Sequence, residues 1–118
     1  MTSYLRSTAW FSRRDRWFKT EQERAGKIQC AVCMKSGSKR DFELHHLDYT
    51  GVQEIGNGVW LANEEHGDLV AVHPRCHEWL HRALDADPAA GSASTRRQAN
   101  ERVIAGLRAR IVNYLKGL

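Results

Sequence analysis

The chain has 118 residues, of which 42% are hydrophobic and 27% charged, which suits one folded domain with a modest core and excludes a disordered chain. No apolar run suits a signal peptide or a membrane span, and three cysteines without a secretory leader point to a reducing cytoplasm in which thiolates serve as ligands. The net charge of +4 is unevenly spread: residues 1–40 carry ten Lys/Arg against three Asp/Glu, residues 41–91 carry two against ten, and residues 92–118 carry six against one, so two basic arms able to grip a polyanion flank an acidic middle that cations would neutralise.

Residues 1–6 read as a short arm. Ser7 is a good N-cap for a basic helix over residues 7–24, which Gly26 ends. Trp10 and Trp17 recur seven apart, as do Phe11 and Phe18, so the four share one face. Such a stripe is more often core than a base-stacking platform. Arg13, Arg14, Arg16 and Lys19 surround it.

Ile28 to Val32 reads as a strand leading into Cys30-Ala31-Val32-Cys33, with a basic turn over residues 35–40. Phe42, Leu44 and His46 alternate with Glu43 and His45, as in a second short strand. Gly51, Gly56, Gly58 and Gly67 predict a long loop over residues 50–67, with Val59-Trp60-Leu61 packed down. Leu69 to Val72 forms another strand, and Pro74 opens a helix to about Asp85. Residues 86–94, with Asp87-Pro88 and Gly91-Ser92, read as a linker. Ser94 or Thr95 then caps a last helix over residues 95–116, with Val103, Ile104, Leu107, Ile111, Leu115 and Leu118 as its apolar stripe.

All six histidines lie between His45 and His81, which marks a metal site, a catalytic site, or both. Cys30 and Cys33 have knuckle spacing, and His73 and Cys76 repeat it, so the four make a closed Cys3His set suited to structural zinc. His77 and His81 are four apart on a helix, which is a metal-binding pair. In a strand His45 and His46 point to opposite sides. One of them is expected to join His77 and His81 as a third ligand, and the other to stay free to take a proton from water. His66 is expected to be an ordinary hydrogen-bonded loop residue.

The combination of C-x-x-C, Glu43-Leu44-His45-His46, Asp68, His73-Pro74-Arg75-Cys76-His77 and His81 resembles the HNH endonucleases of the ββα-metal fold. The Glu-Leu-His-His run and the H-x-x-x-H ending are similar to the colicin nucleases. The paired knuckle and the opening Tyr4-Leu5-Arg6-Ser7 with Trp10 resemble the zinc-stapled branch found in phage and restriction-type proteins, over about residues 4–82. The resemblance implies an α+β fold, a single domain over residues 1–118 with its ββα-metal core at residues 28–85 between flanking helices. It implies His45 as the metal ligand of the pair and His46 as the general base. Asp68 stands where the family usually has Asn and would pin the ββα loop and help orient the base. His73 stands where the branch usually has a third zinc cysteine.

Also implied are one structural Zn2+ and one catalytic divalent ion, which Mg2+, Mn2+, Ni2+ or Zn2+ would satisfy. The implied partner is double-stranded DNA, with no membrane and with room for a homodimer or a larger phage or restriction-type assembly. Products would carry a 5′-phosphate and a 3′-hydroxyl. Phosphate contacts are expected from Arg13, Arg14, Arg16 and Lys19 on the first helix and from Arg96, Arg97, Arg102, Arg108 and Arg110 on the last. Two other readings compete. One is a zinc-stapled DNA-binding module without catalysis. The other is a metalloprotease, because His77-Glu78-Trp79-Leu80-His81 matches H-E-x-x-H and Glu101 follows at the distance of a third ligand.

Overall fold

In the computed structural model, which describes residues 2–87 and 95–117, the expected arm includes a single helical turn, α1 (Thr2–Leu5). Ser7 then starts α2 (Thr8–Ala25): its side chain accepts the Trp10 N–H at 3.1 Å. Gly26 ends the helix in the left-handed conformation at φ 74°, where a residue without Cβ is unstrained. Trp10, Trp17 and Phe18 are buried as the periodicity requires. Phe11 departs from the stripe and is 53% exposed.

Strands β1 (Ile28–Gln29) and β2 (Ser36–Gly37) form a minimal antiparallel hairpin. The first strand stops short of Val32 because residues 31–33 turn, and Met34 follows with a positive φ of 66°. After a 3-10 turn over Lys39–Asp41, β3 (Glu43–His46) begins.

The segment expected to be a long loop contains a hairpin, β4 (Val52–Gly56) and β5 (Val59–Ala62). The reason is Asn57-Gly58. Gly56 pairs with Val59, so these two residues make the turn, and Gly58 takes φ 75°. Asn-Gly between apolar runs is the strongest short hairpin signal. At the hairpin's base the Asn63 N–H donates to the Gly51 carbonyl at 2.9 Å, and any side chain on residue 51 would run into the Asn63 backbone. Of Val59-Trp60-Leu61, Trp60 packs against the core, its ring 5.4 Å from that of Tyr4, while Val59 and Leu61 stay exposed.

A 3-10 turn over His66–Asp68 leads into β6 (Leu69–Val72), which pairs antiparallel with β3 and sets His45 opposite Val70 and His46 opposite Leu69. Helix α3 (Pro74–Asp85) follows with Pro74 in its first turn, where a missing N–H costs nothing. Thus β3, β6 and α3 form the expected strand–strand–helix unit within an α+β fold. Residues 88–94 of the expected linker, including Ser94, lie outside the described residues. Thr95 caps α4 (Arg96–Lys116) in a capping box with Gln98. Ile104 and Leu107 bury the middle of α4, which packs on α3, whereas Leu115 is exposed and Leu118 lies outside the described residues. On α3, Leu80 is fully buried, and its truncation to Ala costs on the order of 2–5 kcal/mol. Among the described residues no helix is long and apolar enough to cross a membrane.

Candidate functional site

Cys30 and Cys33 come from the turn between β1 and β2, His73 is the N-cap of α3, and Cys76 lies in its first turn. Their ligand atoms all lie within 4.8 Å of one another, with Cys33 Sγ 3.3 Å from His73 Nδ1. A tetrahedral ion about 2.3 Å from each sulfur sets sulfurs roughly 3.8 Å apart, so the group suits zinc. Burial raises the Cys30 thiol, but backbone N–H groups of Cys33, His73 and Val32 outweigh it and bring it down to about 7. Cys76 is pushed up to about 12 by burial and then by the charge of Cys30. A cation between them removes that conflict.

The second cluster joins β3 to α3. His45 Nδ1 lies 3.1 Å from His77 Nε2, which lies 3.0 Å from His81 Nε2. Nitrogens sharing one ion at about 2.0–2.1 Å lie roughly 2.9–3.4 Å apart. The outward nitrogens fix the tautomers. His45 Nε2 is 2.5 Å from Asn100 Oδ1, and His77 Nδ1 is 2.8 Å from Glu43 Oε1. Both oxygens only accept, so both outward nitrogens carry hydrogen. The inward nitrogens of His45 and His77 therefore aim lone pairs at each other, an arrangement that favours a cation between them. Burial pushes His45 down to about 3, despite the opposing hydrogen bond that it donates to Asn100, which keeps it in the uncharged form that a ligand needs.

Asn100 was not legible as a site residue. It is fully buried on α4, one and two turns before Ile104 and Leu107. A polar residue in line with an apolar stripe was the available signal. We expect Asn100→Ala to weaken metal binding at the three histidines by about 10–100-fold while the Cys3His group keeps its zinc. Competition against a chromophoric chelator measures both affinities, and an unchanged second-site affinity would show that Asn100 does not hold His45.

His46 points to the other side of β3 and is 2% exposed. Its ring stacks on Tyr49 at 4.2 Å and lies 4.8 Å from Trp10. Nε2 is 2.7 Å from Glu64 Oε2, which also accepts the Tyr4 hydroxyl at 2.7 Å. Burial raises the Glu64 carboxyl, but the bonds from His46 and Tyr4 outweigh it and hold it below the usual carboxylate range. The other oxygen, Oε1, is buried with no hydrogen-bond partner among the described residues. Sequence reasoning missed Glu64, and it met Tyr4 only in the opening Tyr4-Leu5-Arg6-Ser7, not as a partner of the His46 carboxylate.

Asp68 pins the loop before β6: its side chain accepts the Glu65 N–H at 2.9 Å and pairs with Arg97, and its carbonyl accepts the Leu47 N–H at 2.8 Å. The carboxylate on the His46 ring, however, is that of Glu64. His66 is hydrogen-bonded to Glu21 at 2.8 Å and stacked on Trp17, as expected of an ordinary loop residue. Glu101 is exposed on α4 and does not belong to the histidine group, whose third member is His45.

The basic residues divide differently from expectation. Arg13 is 7% exposed, and its Nε donates to the Glu64 carbonyl at 2.9 Å. It is a packing residue. Arg14 reaches the Phe42 carbonyl and lies over Phe18. On α4, Arg96 donates to the His46 carbonyl at 2.9 Å and lies 4.7 Å over Tyr49. Arg97 pairs with Asp48 and Asp68, Arg102 with Asp87, and Arg108 donates to the Ala31 carbonyl. These arginines clamp α4 onto the core. Arg16 and Lys19 are exposed on α2.

No protein-family model matches the chain, and neither a curated protein nor a solved structure matches it.

Proposed function

We propose that this chain is a metal-dependent HNH endonuclease that hydrolyses phosphodiester bonds of double-stranded DNA. The observation that carries the proposal is the pairing of two donor sets on one helix. The Cys3His group at the start of α3 is closed, as a structural zinc site is. The three imidazoles one turn further on could hold an ion and would leave it positions open, as a site that takes substrate does. The sequence resemblance to the zinc-stapled HNH proteins supports the same reading.

His45, His77 and His81 would hold the second ion, with Asn100 and Glu43 fixing the rings. When bound, a divalent ion supplies Lewis acidity at the scissile phosphate and stabilises the leaving 3′ oxygen. Three imidazoles favour Ni2+ or Zn2+ by affinity, whereas abundance favours Mg2+. Glu64 accepts the Nε2–H of His46, which leaves Nδ1 to take a proton from the attacking water. The same carboxylate stabilises the imidazolium that forms. Asp68 and Arg97 hold the adjoining loop.

Arg16 and Lys19 would meet flanking phosphates. We expect Arg16→Ala with Lys19→Ala to lower the salt slope of DNA binding by about two units and to weaken all sequences alike. Arg13→Ala should instead lower thermal stability, and a change in salt slope without a change in melting temperature would return Arg13 to the DNA contacts.

One observation favours a second reading, a zinc-stapled DNA-binding module without catalysis: His46 is 2% exposed. Supercoiled plasmid with Mg2+, Mn2+ or Ni2+, beside a casein control, separates the readings. Relaxed or linear product supports the nuclease. Binding without cleavage supports the module, and casein hydrolysis would support the H-E-x-x-H protease and overturn both.

A further inference from the structure

Between α3 and α4 lies an open groove of about 610 Å³, walled in part by Trp79, Leu107, Ile111 and Tyr114. Among the described residues its charged wall residues are Arg82 and Arg110. Trp79 is 42% exposed and Tyr114 70% exposed. Neither arginine belongs to an ion pair among the described residues. The groove thus offers two large aromatic faces and two free guanidinium groups beside an apolar floor.

A second copy of the chain seated on the same face would bring these arginines against each other's cations, and burying unpaired charge is costly. A single strand of nucleic acid fits all the groups at once. Unpaired bases have open π faces for Trp79 and Tyr114, and phosphates pair with Arg82 and Arg110. An intact duplex keeps those base faces stacked on each other and has none to offer.

The groove and the histidine site share one wall residue, Arg82. Arg82 also lines the opening whose walls include Glu43, His77, Glu78 and His81, and His81 directly precedes it on α3. A strand held at the three imidazoles would meet Arg82 at the edge where the two openings adjoin. We infer that the α3–α4 groove binds unpaired nucleotides flanking the cut, stacking bases on Trp79 and Tyr114. The preferred DNA would then carry a single-stranded flank next to the scissile bond. Only this placement of the cut rests on the nuclease reading; the binding itself does not.

Fluorescence anisotropy of a labelled oligo-dT and of a blunt duplex, with zinc-loaded full chain and no added divalent ion, tests the groove without cleavage. Trp79→Ala and Tyr114→Ala are each expected to weaken oligo-dT binding about tenfold, with duplex affinity nearly unchanged. Trp79→Phe and Tyr114→Phe should restore most of the loss, because a ring remains to stack on. Arg110→Ala should lower the oligo-dT salt slope by about one unit. Failure of the wild type to bind oligo-dT, or unchanged binding in both alanine variants, would overturn the inference. So would a dimer in sedimentation that Trp79→Ala converts to monomer, since the face would then belong to a second copy. Plasmid cleavage without oligo-dT binding sinks the groove alone. Trp79-dependent oligo-dT binding by a chain that cuts no DNA sinks the nuclease reading and leaves the groove standing.

Discussion

Replacing Cys30 by Ser is expected to release the zinc and unfold the chain. Cys30 sits between β1 and β2, each of two residues, and such a hairpin is not stable alone. The Cys3His group ties that hairpin to the first turn of α3, which also carries His77 and His81. A structural zinc contributes about 10–16 kcal/mol of apparent binding free energy in small domains, as much as or more than the net stability of a typical one. Metal analysis should therefore find one tightly held zinc in the wild type and none in Cys30→Ser. Far-UV circular dichroism should show loss of helix in the same variant. A folded, cooperatively melting, zinc-free Cys30→Ser protein would show that the core stands without the ion.

His46→Ala should lower the DNA cleavage rate by about 10²–10⁴-fold while both metal sites keep their content. The side chain also fills space between Trp10 and Tyr49, so thermal melting must accompany the rate measurement. Glu64→Gln is the informative companion. A glutamine can still accept the Nε2–H, but it cannot stabilise the imidazolium, so its loss in rate should be smaller. Retention of most of the rate in His46→Ala would place the base elsewhere, and equal losses in both variants without a change in DNA binding would point to a packing role.

What was legible in the sequence depended on spacing along a few residues. Ser7, Pro74 and Thr95 mark helix starts because capping is local, and two C-x-x-C-like halves and an i, i+4 histidine pair bring ligands together by backbone geometry alone. The alternation around His45 and His46 likewise sent the two rings to opposite sides of one strand. The β4–β5 hairpin carried an equally local signal in Asn57-Gly58, which was outweighed by the number of glycines around it. The pairings of Asn100, Glu64 and Tyr4 were not legible for a different reason. Asn100 meets His45 across 55 positions, and Glu64 meets His46 across 18 and Tyr4 across 60. No periodicity spans such distances. Charge counts found the basic arms but not their use: Arg13, Arg96, Arg97 and Arg108 are turned inward onto carbonyls and carboxylates that only the folded chain supplies.

The central claim is that one chain holds a closed zinc site for stability and an open three-histidine site for cleavage. Single-turnover cleavage of labelled duplex DNA by zinc-loaded protein, titrated with Mn2+ while zinc content is followed, tests it most directly. The rate should rise from background and saturate with zinc constant at one per chain, and the products should carry 5′-phosphate and 3′-hydroxyl ends. His81→Ala should shift the saturation to much higher Mn2+ without losing the zinc. A rate that ignores added Mn2+, or that follows the zinc held by the cysteines, would contradict the account.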